Sequence, residues 1–169
     1  MKCLEELEKK IFKLLNFEIG QFEERVFRNH EYYARLKSDV AGKICVLLAV
    51  ITDPVAGLSK LLVLTNALKS NGAKKIFVVM PYYIYSRQDR VDKPGAPITR
   101  DLVASLLVSA GADRIITVDL HNPSGQGIMK KIINLSPLGS MPPAVRNYVD
   151  SSWTIAAPDH GAVKRARDL

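Results

Sequence analysis

Between residues 44 and 120 the apolar positions switch between two periods. "ICVLLAV" (44–50), "KIFVVM" (75–80) and "RIITVDL" (114–120) are short and almost continuously apolar, as strands covered on both faces are. Between them lie two longer stretches with helical spacing, "VAGLSKLLVLTNALKSN" (55–71), closed by Gly72, and "RDLVASLLVSAG" (100–111), ending at Gly111. Glycine suits the end of a helix, and Thr99 is placed to cap the start of the second one. Strand, helix, strand, helix, strand predicts right-handed βαβ units: an α/β fold with a parallel sheet flanked by helices. Upstream, Leu4, Leu7, Ile11, Leu14 and Leu15 fall on one stripe and predict an amphipathic helix over 4–16. "QFEERVF" and "EYYARL" alternate as strands joined by the turn "RNH". Past residue 134 the pattern loosens. "NLSPLGSMPPAV" reads as a linker, "WTIAA" as a short strand, "PDHGA" as a turn and "AVKRARDL" as the start of a basic helix. The expected organisation is a domain over 1–138, followed over 139–169 by a linker and the beginning of a second domain.

At 169 residues and 47% hydrophobic, the chain can bury a substantial core. No apolar run is long enough to span a bilayer. Glu5, Glu6 and Glu8 and the helical spacing around them argue against a signal or transit peptide, so a cytoplasmic protein without a membrane partner is expected. Cys3 and Cys45 have neither metal-ligand nor redox spacing and read as reduced, structural thiols. The formal charge of +7 predicts an anionic partner. The cations sit in short groups, at 87–100, at Lys130 and Lys131 and at 164–167, each in or beside a Gly- or Pro-containing loop. That arrangement suits a small phosphorylated ligand better than a nucleic acid.

Three stretches carry the candidate chemistry. In "TVDLH", Asp119 and His121 stand two apart where a strand ends, so the pair converges at the sheet's carboxyl edge, where such folds bind ligands. The pair can hold a divalent cation that phosphates complete; alternatively, His121 hydrogen-bonds a loop and Asp119 caps a turn. "APDHGAVKRARDL" sets Asp159 in a turn before a helix that opens with Lys164 and Arg165, a phosphate- or metal-facing arrangement. It is equally the sequence of an ordinary aspartate turn. "YSRQDRVDKPGAPITR" places Arg87, Arg90, Lys93 and Arg100 to clamp phosphates, with Gln88 to read a base edge and Asp89 or Asp92 to orient the arginines. A solvated loop of mutual ion pairs is the competing reading. Pro94, Pro97 and the preceding "PYYIY", a cluster able to flank a purine, favour a built site.

The ungapped stretch "VVMPYYIYSRQDRVDKPGAPITRDLVASLLVSAGADRIITVDLH" resembles the ribose-phosphate pyrophosphokinase (phosphoribosyl pyrophosphate synthetase) family. "FRNHE" and "ALKSNGAKKI" upstream and "APDHGAVKRAR" downstream resemble further segments of that family. The resemblance implies a phosphoribosyltransferase-like (type I) domain. It also implies a transferase, a kinase of nucleotide biosynthesis, that moves the β,γ-diphosphoryl group of magnesium-bound ATP to ribose 5-phosphate, giving phosphoribosyl pyrophosphate and AMP. Carried over by position, Arg87 and Gln88 contact ATP, braced by Asp89 and Asp92. Asn29 and Glu31 bind the adenine side across a subunit interface, which implies a homo-oligomer or association with related synthetase subunits. His121 and Asp159, with Asp119 close by, are the implied magnesium ligands.

The sequence departs from the family in three places. Met1 falls almost at the first helix, where the family opens with a strand. Lys130 stands at or near the position of the first of the family's acids in that region, and this sequence has none nearby. The family's catalytic-lysine loop and ribose 5-phosphate loop would lie beyond residue 169. A truncated synthetase that binds ATP but is inactive alone is therefore expected, with a non-catalytic regulatory or associated subunit as the alternative.

Overall fold

The computed structural model describes residues 9–11, 13, 14, 16–123, 127–137, 148–150 and 152–167. In chain order the strands are β1 (Phe22–Val26), β2 (Tyr32–Leu36), β3 (Ile44–Leu48), β4 (Lys75–Met80), β5 (Arg114–Val118) and β6 (Ile132–Leu135). The last four form one sheet in sequential order, and β1 and β2 form a separate antiparallel pair. β4 runs parallel to both its neighbours, with Leu47 opposite Val78 and Val78 opposite Ile115. The α/β fold with a parallel sheet is thus the one the alternation of apolar periods predicts.

The two crossover helices are α1 (Pro54–Ser70) and α2 (Thr99–Ala110). Sequential strand order with right-handed crossovers carries both helices to the same face of the sheet. Their inward residues Leu61, Leu68, Val103, Ala104 and Leu107 share one core with Ile76, Val78, Met80 and Ile115. The other face is less covered. On β3, expected to be buried on both faces, Ile44 remains 61% and Val46 40% exposed, because β3 is the edge of the sheet. Cys45, on the face towards the helices, is a free thiol pushed up in pKa by partial burial, against the opposing charge of Lys43. Cys3 lies outside the described residues.

Each helix is terminated by identifiable chemistry. Asp53 caps α1, its Oδ1 accepting from the N–H groups of Val55 at 3.0 Å and Ala56 at 3.2 Å, while Pro54 opens the first turn without a donor to satisfy. At the other end the Asn71 side chain donates to the Ala67 carbonyl, and Gly72 takes a left-handed φ of 81°. The start of α2 differs from expectation. Thr99 is already helical, and the cap position belongs to Ile98, which makes no side-chain cap bond. The first-turn N–H of Arg100 is satisfied instead by the Gln88 carbonyl at 3.1 Å. A tertiary contact has replaced a local cap.

β1 and β2 are joined through residues 27–31, where the Phe27 N–H donates to the Glu31 carbonyl and His30 adopts a φ of 68°. Of the N-terminal helix expected over 4–16, Lys9, Lys10, Ile11, Lys13 and Leu14 are helical, whereas Leu4, Leu7 and Leu15 lie outside the described residues. The chain divides into two compact units, Met1–Asn134 and Leu135–Leu169. In the second unit, "WTIAA" is not a strand. A strand needs a partner for its hydrogen bonds, and no ladder pairs with it among the described residues. The turn and helix that follow are present as a 3-10 turn, His160–Ala162, running into α3 (Val163–Arg167). Among the described residues no helix is long and apolar enough to cross a membrane.

Candidate functional site

The carboxyl ends of β4 and β5 release two loops, 81–98 and 119–123, side by side. The first is folded tightly onto the core. Tyr83 and Ile84 are buried, the Tyr83 hydroxyl donating to the Arg100 carbonyl at 3.0 Å. Successive turns follow, in which Ser86 N–H donates to Tyr83 O and Gln88 N–H to Tyr85 O, with Tyr85 held at a φ of 57°. A bulky residue in the left-handed region is costly, and such strain tends to collect at functional sites. Its effect here is to turn Arg87 and Gln88 outwards, both exposed, and the Asp89 carboxylate inwards. Of the aromatic cluster read as a purine shelf, Tyr83 belongs to the core and Tyr82 is exposed.

Arg100, read from the sequence as a phosphate clamp, does not reach solvent: it is 4% exposed. Its Nε pairs with Asp101 Oδ1 at 2.7 Å, and its Nη1 donates to the Asn122 carbonyl at 3.0 Å and stands 4.0 Å from Asp89 Oδ2. A guanidinium so placed bolts the two loops together. Burial works to raise the Asp89 carboxyl, but the hydrogen bond and charge of His121, with its own backbone N–H and the Asn122 amide, hold it below the usual carboxylate range.

The second loop begins earlier than its sequence suggests. β5 stops at Val118, and Asp119 turns the chain at a φ of 51°. Asp119 and His121 are therefore not alternating residues of one strand, and the turn between them decides where each points. The Asn134 side chain accepts from the Leu120 N–H at 2.8 Å and holds that turn. His121 directs Nδ1 at Asp89 Oδ2, 3.3 Å away, with the ring half-exposed. Asn122 and Asn134 were not singled out by sequence reasoning; isolated asparagines carry no pattern, and their partners are distant in the chain.

Asn29 and Glu31 are exposed in the β1–β2 turn, where the Asn29 side chain accepts from the Glu31 N–H at 3.3 Å. Arg90, Asp92 and Lys93 are exposed along the first loop. Asp159 belongs to the second unit, where its Oδ1 accepts from the Ala162 N–H at 2.9 Å as the cap of the 3-10 turn. Among the described residues no group of three or more His, Cys, Asp or Glu is gathered. Magnesium binds through one or two carboxylates and takes the rest of its shell from phosphates and water. Asp119, exposed at the carboxyl edge, is a donor of that kind.

A parallel α/β sheet whose carboxyl edge presents an arginine-bearing loop, fixed from beneath, belongs to the class of α/β folds in which ligands bind at that edge. Residues 1–111 match the family model described as the N-terminal domain of ribose phosphate pyrophosphokinase, and the chain belongs to that family. It is similar to the ribose-phosphate pyrophosphokinase of Fusobacterium nucleatum, 37% identical over 170 residues, covering 97% of this chain and 53% of the relative. Ribose-phosphate pyrophosphokinase 1 of Streptococcus pneumoniae is 36% identical over 168 residues, covering 97% and 52%. The crystal structure of phosphoribosylpyrophosphate synthetase from Mycobacterium smegmatis superposes with a TM-score of 0.85 at 31% identity, over 96% of this chain and 55% of that one. The chain spans about half the length of the curated relatives it matches.

Proposed function

We propose that this chain is the ATP-binding part of a ribose-phosphate pyrophosphokinase, acting in the transfer of a diphosphoryl group from ATP to ribose 5-phosphate with release of AMP. Family membership supports the reaction class. The observation that carries the nucleotide role is the exposure of Arg87 and Gln88 at the carboxyl edge, on a loop whose base is fastened by buried Tyr83 and Arg100. Transfer of this kind depends chiefly on positioning and charge neutralisation, and a pre-folded clamp provides positioning. Arg87 binds a phosphate oxygen pair through its planar fork and Gln88 an edge of the base, with Asp92 beside them in the loop. Asn29 and Glu31 serve the adenine of a neighbouring copy, which requires a homo-oligomer or a related synthetase subunit. Asp119 and His121 are the residues of the first unit that would hold magnesium, which would supply neutralisation of phosphate charge.

Calorimetric titration with ATP, with and without magnesium, tests this reading alongside an assay for phosphoribosyl pyrophosphate. ATP binding is expected, weakened about tenfold or more by Arg87→Ala, since a hydrogen bond to a charged group contributes about 1.5–3 kcal/mol. Unchanged affinity in that variant would remove Arg87 from the site. Binding to added full-length synthetase, with no ATP binding of its own, would favour the associated-subunit reading.

A further inference from the structure

The Asp89 carboxylate lies one residue from the exposed Gln88, yet its side chain is 4% exposed and cannot meet a ligand at the surface. Across the loops its Oδ2 stands 3.3 Å from His121 Nδ1, and the Asn122 side chain also hydrogen-bonds the carboxylate. Oδ1 is buried with no hydrogen-bond partner among the described residues. Burying a carboxylate with an unsatisfied oxygen costs stability, so its presence calls for a reason. Folding alone does not require it, because an apolar residue of the same shape would avoid the cost.

We propose that Asp89 is a positioning residue: it fixes the His121 imidazole with the proton on Nδ1 and leaves Nε2 bare towards the ligand edge. An ionised carboxylate only accepts, so the nitrogen facing it must donate. A histidine whose other nitrogen is held this way has a set tautomer and orientation, and Nε2 becomes the better acceptor or metal ligand. Three features make the arrangement rigid. Asp89 is part of a loop folded against the core, Arg100 stands 4.0 Å from the same Oδ2, and the Arg100 Nη1 also holds the carbonyl of Asn122, the residue after His121. The loop presenting Arg87 and Gln88 and the loop presenting His121 are therefore joined through Asp89 and Arg100. The use made of Nε2, binding the cation that accompanies ATP, rests on the nucleotide reading above; the tautomer does not.

The test is the ring 15N spectrum of the whole 169-residue chain, at a pH above the imidazole titration, with His121 signals assigned by their loss in His121→Gln. The expected result is a protonated Nδ1 and a bare Nε2 in the unsubstituted chain, and loss of that preference in Asp89→Asn, which keeps the shape but can present a donor. A proton on Nε2 in the unsubstituted chain overturns the proposal, and so does an unchanged ring in Asp89→Asn. The unsubstituted spectrum decides even where the variant fails to fold. In titrations, Asp89→Asn should lose about tenfold in magnesium-dependent ATP affinity and little without magnesium, in line with the effect of residues that orient a metal ligand. Equal losses in both would make Asp89 a direct nucleotide contact and overturn the positioning role. If the unsubstituted chain binds no ATP, the nucleotide reading fails while the ring spectrum still decides this one.

Discussion

Tyr83 shows how a single side chain serves both core and site. Its ring is buried and its hydroxyl donates to the carbonyl of Arg100, the residue that ties the loops. Burial, and then the Asp101 carboxylate, push the hydroxyl well above the ordinary tyrosine value of 10.0, against the opposing pull of Arg100. A folded-state value above the unfolded one means that the contribution is complete below about pH 10 and is lost as pH rises beyond it, at about 1.4 kcal/mol per pH unit. Urea unfolding between pH 9 and 11 should therefore show a fall in stability that is shallower in Tyr83→Phe. An identical slope in the two would mean that the hydroxyl titrates freely. From the sequence, "PYYIY" was legible as important but not as divided, since neighbouring tyrosines are told apart only by which one meets the core.

At the scale of elements, the helix ends are the most testable features. Asp53→Ala removes the acceptor for two N–H groups and should cost about 1 kcal/mol in a denaturant titration. Gly111 closes α2 at a φ of 124°, where a Cβ would come within 2.7 Å of Lys69 Cβ on α1. Gly111→Ala should cost about 1–3 kcal/mol by crowding and backbone strain together. Adding Lys69→Ala should not restore stability, because the nearest atom is a Cβ that alanine keeps; full recovery would show that only the long side chain mattered. The Gly111 end was readable in advance from a glycine placed just past the apolar period, whereas the Asp53 cap was not singled out. The start of α2 was not readable, because the partner of the Arg100 N–H is a carbonyl twelve positions back in the chain, at Gln88, on a loop whose path no local rule sets.

For the whole molecule, the formal charge of +7 and the exposed cations of the first loop predict that ATP affinity falls as salt is raised from about 0.05 to 0.5 M, as screening of surface charge requires. Affinity indifferent to salt would place the contact away from Arg87 and its neighbours. These 169 residues span about half the length of the relatives, and binding without phosphoribosyl pyrophosphate formation is the expected outcome for them alone. Turnover in the product assay would contradict it.

By itself the sequence determined the layer architecture, the helix stops, and the two loops that carry the chemistry. Each rests on local periods or on single residues with strong backbone preferences, and these act over a few positions. The tertiary structure decided the direction of each polar group. Arg100 and Asp89 turned inwards while Arg87 and Gln88 turned outwards. Asp119 left its strand through a left-handed turn, and β3 took the sheet's edge. These outcomes depend on partners up to about thirty positions away, and a buried charge declares itself only when the groups that surround it have been brought together.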